Sequence, residues 1–342
     1  MEQLPAVIRA MLKADFYPDP TLTVQLLQTH ISYILLAGSF VYKVKKPVDF
    51  GFLDFTSLAK RQFYVEEELR LNARFSPHIY LAVVPITEKG GGYILDDDSH
   101  VVEYALKMKR ISEDAMLYRL LAAGSLTVDD MHKIAVHLAE AYEKIPSDEK
   151  AKSFGTVETV GHNVKENFQQ TRKYIGGPIS REKFEKIEAW SIAFLNDHAE
   201  LFEKRIADGY IKECHGDLHL QHVCVEKDIV SVFDCIEFNE RFRYGDVAAD
   251  VAFLAMDLDY NGCGDLGGAF VSAYVKASGD RGLVKVLRFY KAYRAYVRAK
   301  VTSFMLDDKG IPEELRGTAM QNAAKYYDLA YTYVTGRGGK VR

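Results

Sequence analysis

Hydrophobic and polar positions divide the chain into two regimes. Up to about residue 108 the apolar residues come in short runs with polar breaks, the pattern of strands. Residues 24–29, 33–37 and 40–45 read as three successive strands, with Gly38 at the turn between the second and third. Residues 80–84, 93–95 and 100–106 add three more, with a turn at 96–99. One helix interrupts them. Thr56 or Ser57 can cap it, it runs to about Phe75, and Phe63, Glu67 and Leu71 recur every four residues on the face expected to point inward. A small, mostly antiparallel sheet with one helix across it is the expected packing.

Beyond about residue 111 the period becomes helical. Met131, Ile134, Leu138, Tyr142 and Ile145 share one face behind a capping Thr127. Ser180 starts a second helix, and residues 283–306 and 312–334 read as long ones. An irregular island at 212–243 interrupts the helices and holds two brief strand-like pieces, 223–225 and 229–233. No internal repeat, low-complexity tract or Pro/Gly linker is present. The expected fold class is α+β: a small antiparallel lobe with one helix over 1–108 and a larger, mostly helical lobe over 109–342.

Composition narrows the picture. The 342 residues suit one two-lobed unit or two small domains. A chain that is 48% hydrophobic and 27% charged can build a sizeable core. A net charge of -4 gives no pull toward nucleic acid or an anionic membrane, so neither partner is expected. No apolar run reaches the ~20 residues of a membrane span, and Met1 to Ala14 does not read as a signal segment. The four cysteines form no C-x-x-C pair, which fits reduced thiols and a cytoplasmic location.

The island carries the candidate chemistry. Cys214 to His222 reads C-H-G-D-L-H-L-Q-H, and Asp234 follows an apolar strand. A hairpin between Asp217 and Asp234 can bring both carboxylates to one mouth. Phosphoryl transfer needs one carboxylate to orient the acceptor hydroxyl and take its proton, and another to hold Mg2+ against the phosphates. His222, five positions after Asp217, is placed to share the metal work.

The island resembles the aminoglycoside phosphotransferase and choline kinase group of kinase-like enzymes, whose pattern is H-G-D-x-x-x-x-N, then a strand and a metal-binding aspartate. The resemblance implies a protein-kinase-like fold, Asp217 as catalytic base, Asp234 as the main Mg2+ ligand and His215 as a residue shaping the loop. His222 stands where the pattern has Asn; imidazole is a poorer ligand for Mg2+ than a carbonyl oxygen, which leaves Mn2+ as an alternative metal. Gly245 to Asp250 resembles the group's G-D-x-x-x-D helix start, implying that Asp250 braces the catalytic loop. More closely, the chain is similar to bacterial uncharacterised aminoglycoside phosphotransferase-like proteins, on the stretches 42–55, 66–72 and 233–244. Many of those are fused to a C-terminal P-loop kinase domain; residues 338–342 carry no G-x-x-x-x-G-K-[ST], so that second activity is not expected here.

A kinase also needs a strand lysine for the α/β-phosphates, held by a helix glutamate. Lys43 matches the family position, with Lys45, two residues on and facing the same side, in reserve. Glu67 is the expected partner and Glu68 the next. The phosphate-covering turn falls at 29–32, which has no glycine; its backbone N–H groups or Ser32 would contact phosphate. Adenine would meet backbone at 104–108. The expected donor is ATP or GTP and the acceptor a small hydroxylated molecule.

Other readings stay open. A nucleotide-binding pseudokinase would explain His222 and the missing glycine loop. His215, Asp217, His219 and His222 could form the transition-metal site of a metallohydrolase. Protein-kinase activity on serine is a further option. Arg288, Lys291, Arg294 and Arg298 line one side of a helix, where they could bind an anionic substrate, although a solvated or salt-bridged face is the plainer reading; Asp257, Asp259 and Asp265 would form an acidic rim attractive to a cationic acceptor.

Overall fold

The computed structural model describes residues 4–336 apart from Pro20 and Lys309; the tail at 338–342 lies outside the described residues. The chain forms two compact units, Met1–Ala122 with His222–Glu240, and Ala123–Gln221 with Arg241–Arg342. The division therefore does not fall at residue 108, and the island of residues 212–243 is shared between the units.

The first unit opens with α1 (Ala6–Met11), followed by β1 (Val24–Gln28), β2 (Ser32–Ala37) and β3 (Phe40–Lys45). Then come α2 (Leu58–Ala73), β4 (Tyr80–Lys89), β5 (Gly92–Leu95), β6 (Val101–Lys109) and α3 (Leu117–Ala122). The six strands make one antiparallel sheet in the order β1-β2-β3-β6-β4-β5. Alternation along β3 decides what each face holds. Tyr42 and Val44 point into a core with Leu35, Ile86, Ala105 and the α1 residues Ile8 and Met11. Lys43 and Lys45 point to the other face, where α2 lies. Ser57 caps α2 by accepting from the Lys60 N–H.

The second unit contains α4 (Val128–Lys144), α5 (Glu149–Ser153), α6 (Val157–Thr171), α7 (Arg181–Asp197), α8 (Ala199–Ala207) and the short β7 (Ile211–Glu213). Thr127 and Asp130 form a reciprocal capping box at the start of α4, and Ser180 caps α7. The chain then leaves for the first unit and makes the hairpin β8 (Val223–Glu226) and β9 (Ile229–Val232). Polar contacts hold the hairpin there: the Ser76 hydroxyl donates to the Val232 carbonyl and accepts the Val232 N–H, both at 2.8 Å.

The short α9 (Glu240–Arg243) and β10 (Tyr244–Asp246) carry the chain back, and α10 (Val247–Tyr260), α11 (Gly264–Ser278), α12 (Leu283–Phe304) and α13 (Glu313–Thr335) complete the helical unit. Every residue of α10 from Val247 to Leu258 is buried. A helix buried all round is the centre of its unit, so its carboxylates must find partners inside the protein. No helix among the described residues is long and apolar enough to cross a membrane.

Candidate active site

In the first unit five charged side chains meet on the α2 face of the sheet. The buried Glu68 carboxylate bridges two lysines, Oε1 lying 2.7 Å from Lys43 Nζ and Oε2 2.8 Å from Lys45 Nζ. Lys43 Nζ also lies 2.6 Å from Asp234 Oδ1, and Lys45 pairs with Glu237. Burial alone would push Lys43 down, but Asp234 and Glu68 outweigh it and hold the ammonium well above its ordinary value. Lys45 is likewise held up against burial by Glu237 and Glu68. Burial would raise Glu68, yet the two lysines keep it below the usual carboxylate range. Glu237 goes the other way, because burial raises it more than Lys45 lowers it.

The lysine's helix partner is thus Glu68 and not Glu67, which pairs with Arg70 one turn on at 2.8 Å. The reason lies in the helical angle. Steps of four residues drift by about 40° each time, and the buried face of α2 runs through Val65, Glu68, Leu71 and Asn72 while Phe63 is exposed.

Asp234 has a left-handed backbone, φ 65°, which costs a non-glycine residue about 1 kcal/mol. Neighbours fix it there. Its N–H donates to the Tyr80 hydroxyl at 3.0 Å, and the Cys235 N–H donates to Asn72 Oδ1 at 2.9 Å. Asn72 in turn donates to the Glu68 carbonyl at 2.7 Å, so Glu68 and the Asp234 loop share one anchor. His222 Nε2 is 3.5 Å from Asp234 Oδ2. A single carboxylate of this kind, once it exchanges Lys43 for a cation, would fit Mg2+, which keeps waters and substrate phosphates as its other ligands. The imidazole beside it suits Mn2+ better.

Two nucleotide-side expectations do not hold. Ser32 is fully buried, with no hydrogen bond to its hydroxyl. Thr29 Oγ1 accepts the N–H groups of Ile31 and Ser32, so the turn's donors are occupied within the turn. Residues 104–108 lie inside β6, paired with β3 on one side and β4 on the other. Their backbone belongs to the sheet ladder, and adenine contact would fall to residues after Lys109.

In the helical unit the loop from Cys214 to Gln221 is held by its backbone. Gly216 adopts φ 86°, a left-handed turn that favours glycine in H-G-D. Asp250 accepts the N–H groups of His215 at 2.7 Å and Gly216 at 3.2 Å, and the Tyr142 hydroxyl at 2.6 Å. Arg294 from α12 lies 3.2 Å from Asp250 and donates to the Gly216 carbonyl at 2.9 Å. Two turns along α10, Asp257 accepts the Leu220 N–H at 3.0 Å. The two ends of the loop are therefore clamped by one helix.

Histidines set the carboxylate within that clamp. His215 Nδ1 accepts the Asp217 N–H at 3.2 Å, and His219 Nδ1 accepts the Gln221 N–H at 3.3 Å. In the neutral rings the proton then sits on Nε2. His219 Nε2 lies 3.3 Å from Asp217 Oδ2, beside the carboxylate. Both Nδ1 atoms are occupied by the loop, which leaves the Nε2 atoms as the rings' remaining ligand atoms. Two of the three rim carboxylates are engaged, Asp257 by the loop and Asp259 by Lys291 at 2.6 Å and the Tyr333 hydroxyl, while Asp265 is exposed.

Glu237, Asn72, Tyr80, His219 and Asp257 thus join the candidate residues without having been assigned such roles from sequence. Two had a readable signal. His219 sits two residues after Asp217, and Asp257 sits seven after Asp250 on the same helix face.

Residues 178–293 match the family described as "Phosphotransferase enzyme family". Uncharacterised proteins of Mycobacterium tuberculosis and Mycobacterium bovis are 31% identical over 274 residues, 80% of this chain and 53% of theirs. The chain spans about half the length of these curated relatives. The GDP complex of wild-type aminoglycoside 2'-phosphotransferase-IIIa superposes with a TM-score of 0.54 at 12% identity, over 95% of this chain and 99% of that one. Choline kinase from Cryptosporidium parvum gives 0.54 at 9% identity, over 96% and 94%. A glucosamine kinase in complex with glucosamine, ADP and inorganic phosphate gives 0.52 at 14% identity, over 94% and 77%. These likenesses show the protein-kinase-like fold.

Proposed function

We propose that this chain, of protein-kinase-like fold and similar to the aminoglycoside phosphotransferases and choline kinases, moves the γ-phosphate of ATP or GTP to a hydroxyl of a small molecule. The observation that carries this reading is Lys43, held between Glu68 and Asp234 at 2.7 and 2.6 Å. A strand lysine between a helix glutamate and a post-strand aspartate is what a nucleotide-phosphate cradle requires. In this reading Lys43 neutralises the α/β-phosphates, and Glu68 keeps it charged and aimed. Asp234, with His222, would hold Mg2+ or Mn2+, whose positive charge offsets that of the phosphates when bound.

Asp217 orients the acceptor hydroxyl. As the acceptor oxygen bonds to the γ-phosphorus and the bond to the β-phosphate oxygen breaks, the hydroxyl proton passes to Asp217 and the nucleoside diphosphate leaves. His219 keeps the Asp217 carboxylate in the orientation the proton transfer needs.

The self-bonded turn at Thr29 favours a second reading, a nucleotide-binding pseudokinase that regulates rather than transfers. Binding and turnover separate the two. ATP or GTP with Mg2+ or Mn2+ raises the melting temperature of the wild type, and Lys43→Met loses that shift while remaining folded. Absence of a shift with every nucleotide and metal contradicts both readings.

A further inference from the structure

The helical unit carries a second arginine on the α12 face that holds the candidate base's loop. Arg298 follows Arg294 by one turn of α12, on the same face. Arg294 is committed to Asp250 and to the carbonyl of Gly216, the residue before Asp217. Arg298 has no ion pair among the described residues, and its Nε is buried without a hydrogen-bond partner. A buried N–H left unmet is costly, more so on a charged group, so such a donor points to a ligand. Burial pulls the guanidinium down, but Tyr326, Asp217 and Asp257 more than restore it, and it stays charged.

The surrounding aromatic groups run against a cationic guest. Tyr260 and Tyr326 stack with ring centroids 3.8 Å apart and planes 13° from parallel. The Arg298 guanidinium lies 5.6 Å from the Tyr326 ring centre, and Lys325 Nζ lies 4.0 Å from that of Tyr260. A substrate ammonium is bound by open aromatic faces, and here the protein's own cations take part in those contacts. Two of the acids that would draw an ammonium are committed too, Asp257 to Leu220 and Asp259 to Lys291, leaving the exposed Asp265.

We propose that the acceptor is a hydroxylated molecule bearing a carboxylate or phosphate group, and that Arg298 receives that group while Asp217 addresses the hydroxyl. The inference rests on Asp217 being the base of the proposed phosphotransferase. A guanidinium suits the role, since its planar fork of donors matches both oxyanions. The acceptor class then differs from the choline and glucosamine of the structural neighbours.

The test is calorimetric binding to the full chain. Glycerol, ribose and glucose are each offered as the acid, the phosphate, the neutral compound and the amine, and nucleotide affinity is measured in the same preparations. The acid and phosphate arms separate the two oxyanions. We expect at least one scaffold to bind at least about tenfold tighter as its acid or phosphate. Arg298→Gln should erase that preference, Arg298→Lys should restore part of it, and nucleotide affinity should not change. Neutral or amine forms binding as tightly, no form binding, or Arg298→Gln weakening all forms and nucleotide alike would overturn the proposal. Loss of nucleotide binding by the wild type is a separate result, and it removes the phosphotransferase reading itself.

Discussion

In the first unit, Lys43 and Lys45 are positioned by the charges of other side chains: Glu68 bridges them, and Asp234 and Glu237 close the network. In the helical unit, Asp217 is positioned through its backbone, with two carboxylates of α10 gripping the N–H groups of its loop. The two arrangements suit different tasks. In the proposed function, an ion-pair network could share its charges out again as phosphates and a metal arrive, with Lys43 exchanging a carboxylate for a phosphate. A backbone clamp has no such freedom, and a base that must meet a hydroxyl within hydrogen-bond reach gains from that fixity.

The largest expected effect breaks the clamp. Asp250→Ala would leave Arg294, Tyr142 and two backbone N–H groups buried without their acceptor, and should lower unfolding stability by about 3–5 kcal/mol in denaturant titration. A loss under about 1 kcal/mol would show that the loop is held by something else. Next comes the network. Glu68→Gln leaves two buried lysines without their shared counter-charge and should cost about 3 kcal/mol. Glu67→Gln one residue away removes a surface pair and should stay within about 0.5 kcal/mol. Equal effects would erase the distinction between them.

The smallest effect compares two lysines of opposite sign. Lys43 is raised, so its stabilisation is complete below its unfolded value of 10.5 and is lost as pH rises through its folded value. Lys300 in the helical unit has neutral partners, Asn167 at 2.6 Å and Gln170 at 3.0 Å, and burial lowers it to about 8. Below about 8 it is charged in both states and its burial penalty is complete. Between about 8 and 10.5 only the unfolded chain keeps the proton, so stability should rise with pH in that window. Melting curves of Lys300→Met should lack that rise relative to wild type; identical pH profiles would contradict it.

The sequence was most legible where period and spacing do the work. The strand-rich beginning, the caps at Ser57, Thr127 and Ser180, and the brief strands after His222 are local features, and the fold shows each of them. The site was legible as residue types in order, H-G-D, a later aspartate and a strand lysine. What escaped was what three-dimensional packing decides. Glu67 and Glu68 differ by 100° around α2, and one-sequence periodicity centred on Phe63 chose the wrong one. The fate of Ser32 depended on a threonine side chain closing the turn. The stripe of basic residues on α12 read first as solvated or salt-bridged and second as an anion site; Arg288 is exposed and Lys291 and Arg294 are paired, while only burial shows that Arg294 points inward and that the Arg298 Nε is enclosed.

The most direct test of the account is turnover of γ-labelled ATP and GTP, with Mg2+ or Mn2+ and the acceptor panel, by wild type and Asp217→Asn. The account predicts phosphorylated acceptor from the wild type. It predicts a fall of about 100- to 10,000-fold in Asp217→Asn, with melting temperature and nucleotide affinity unchanged. Undiminished turnover in Asp217→Asn, or nucleotide binding by the wild type with no transfer to any acceptor, would contradict it.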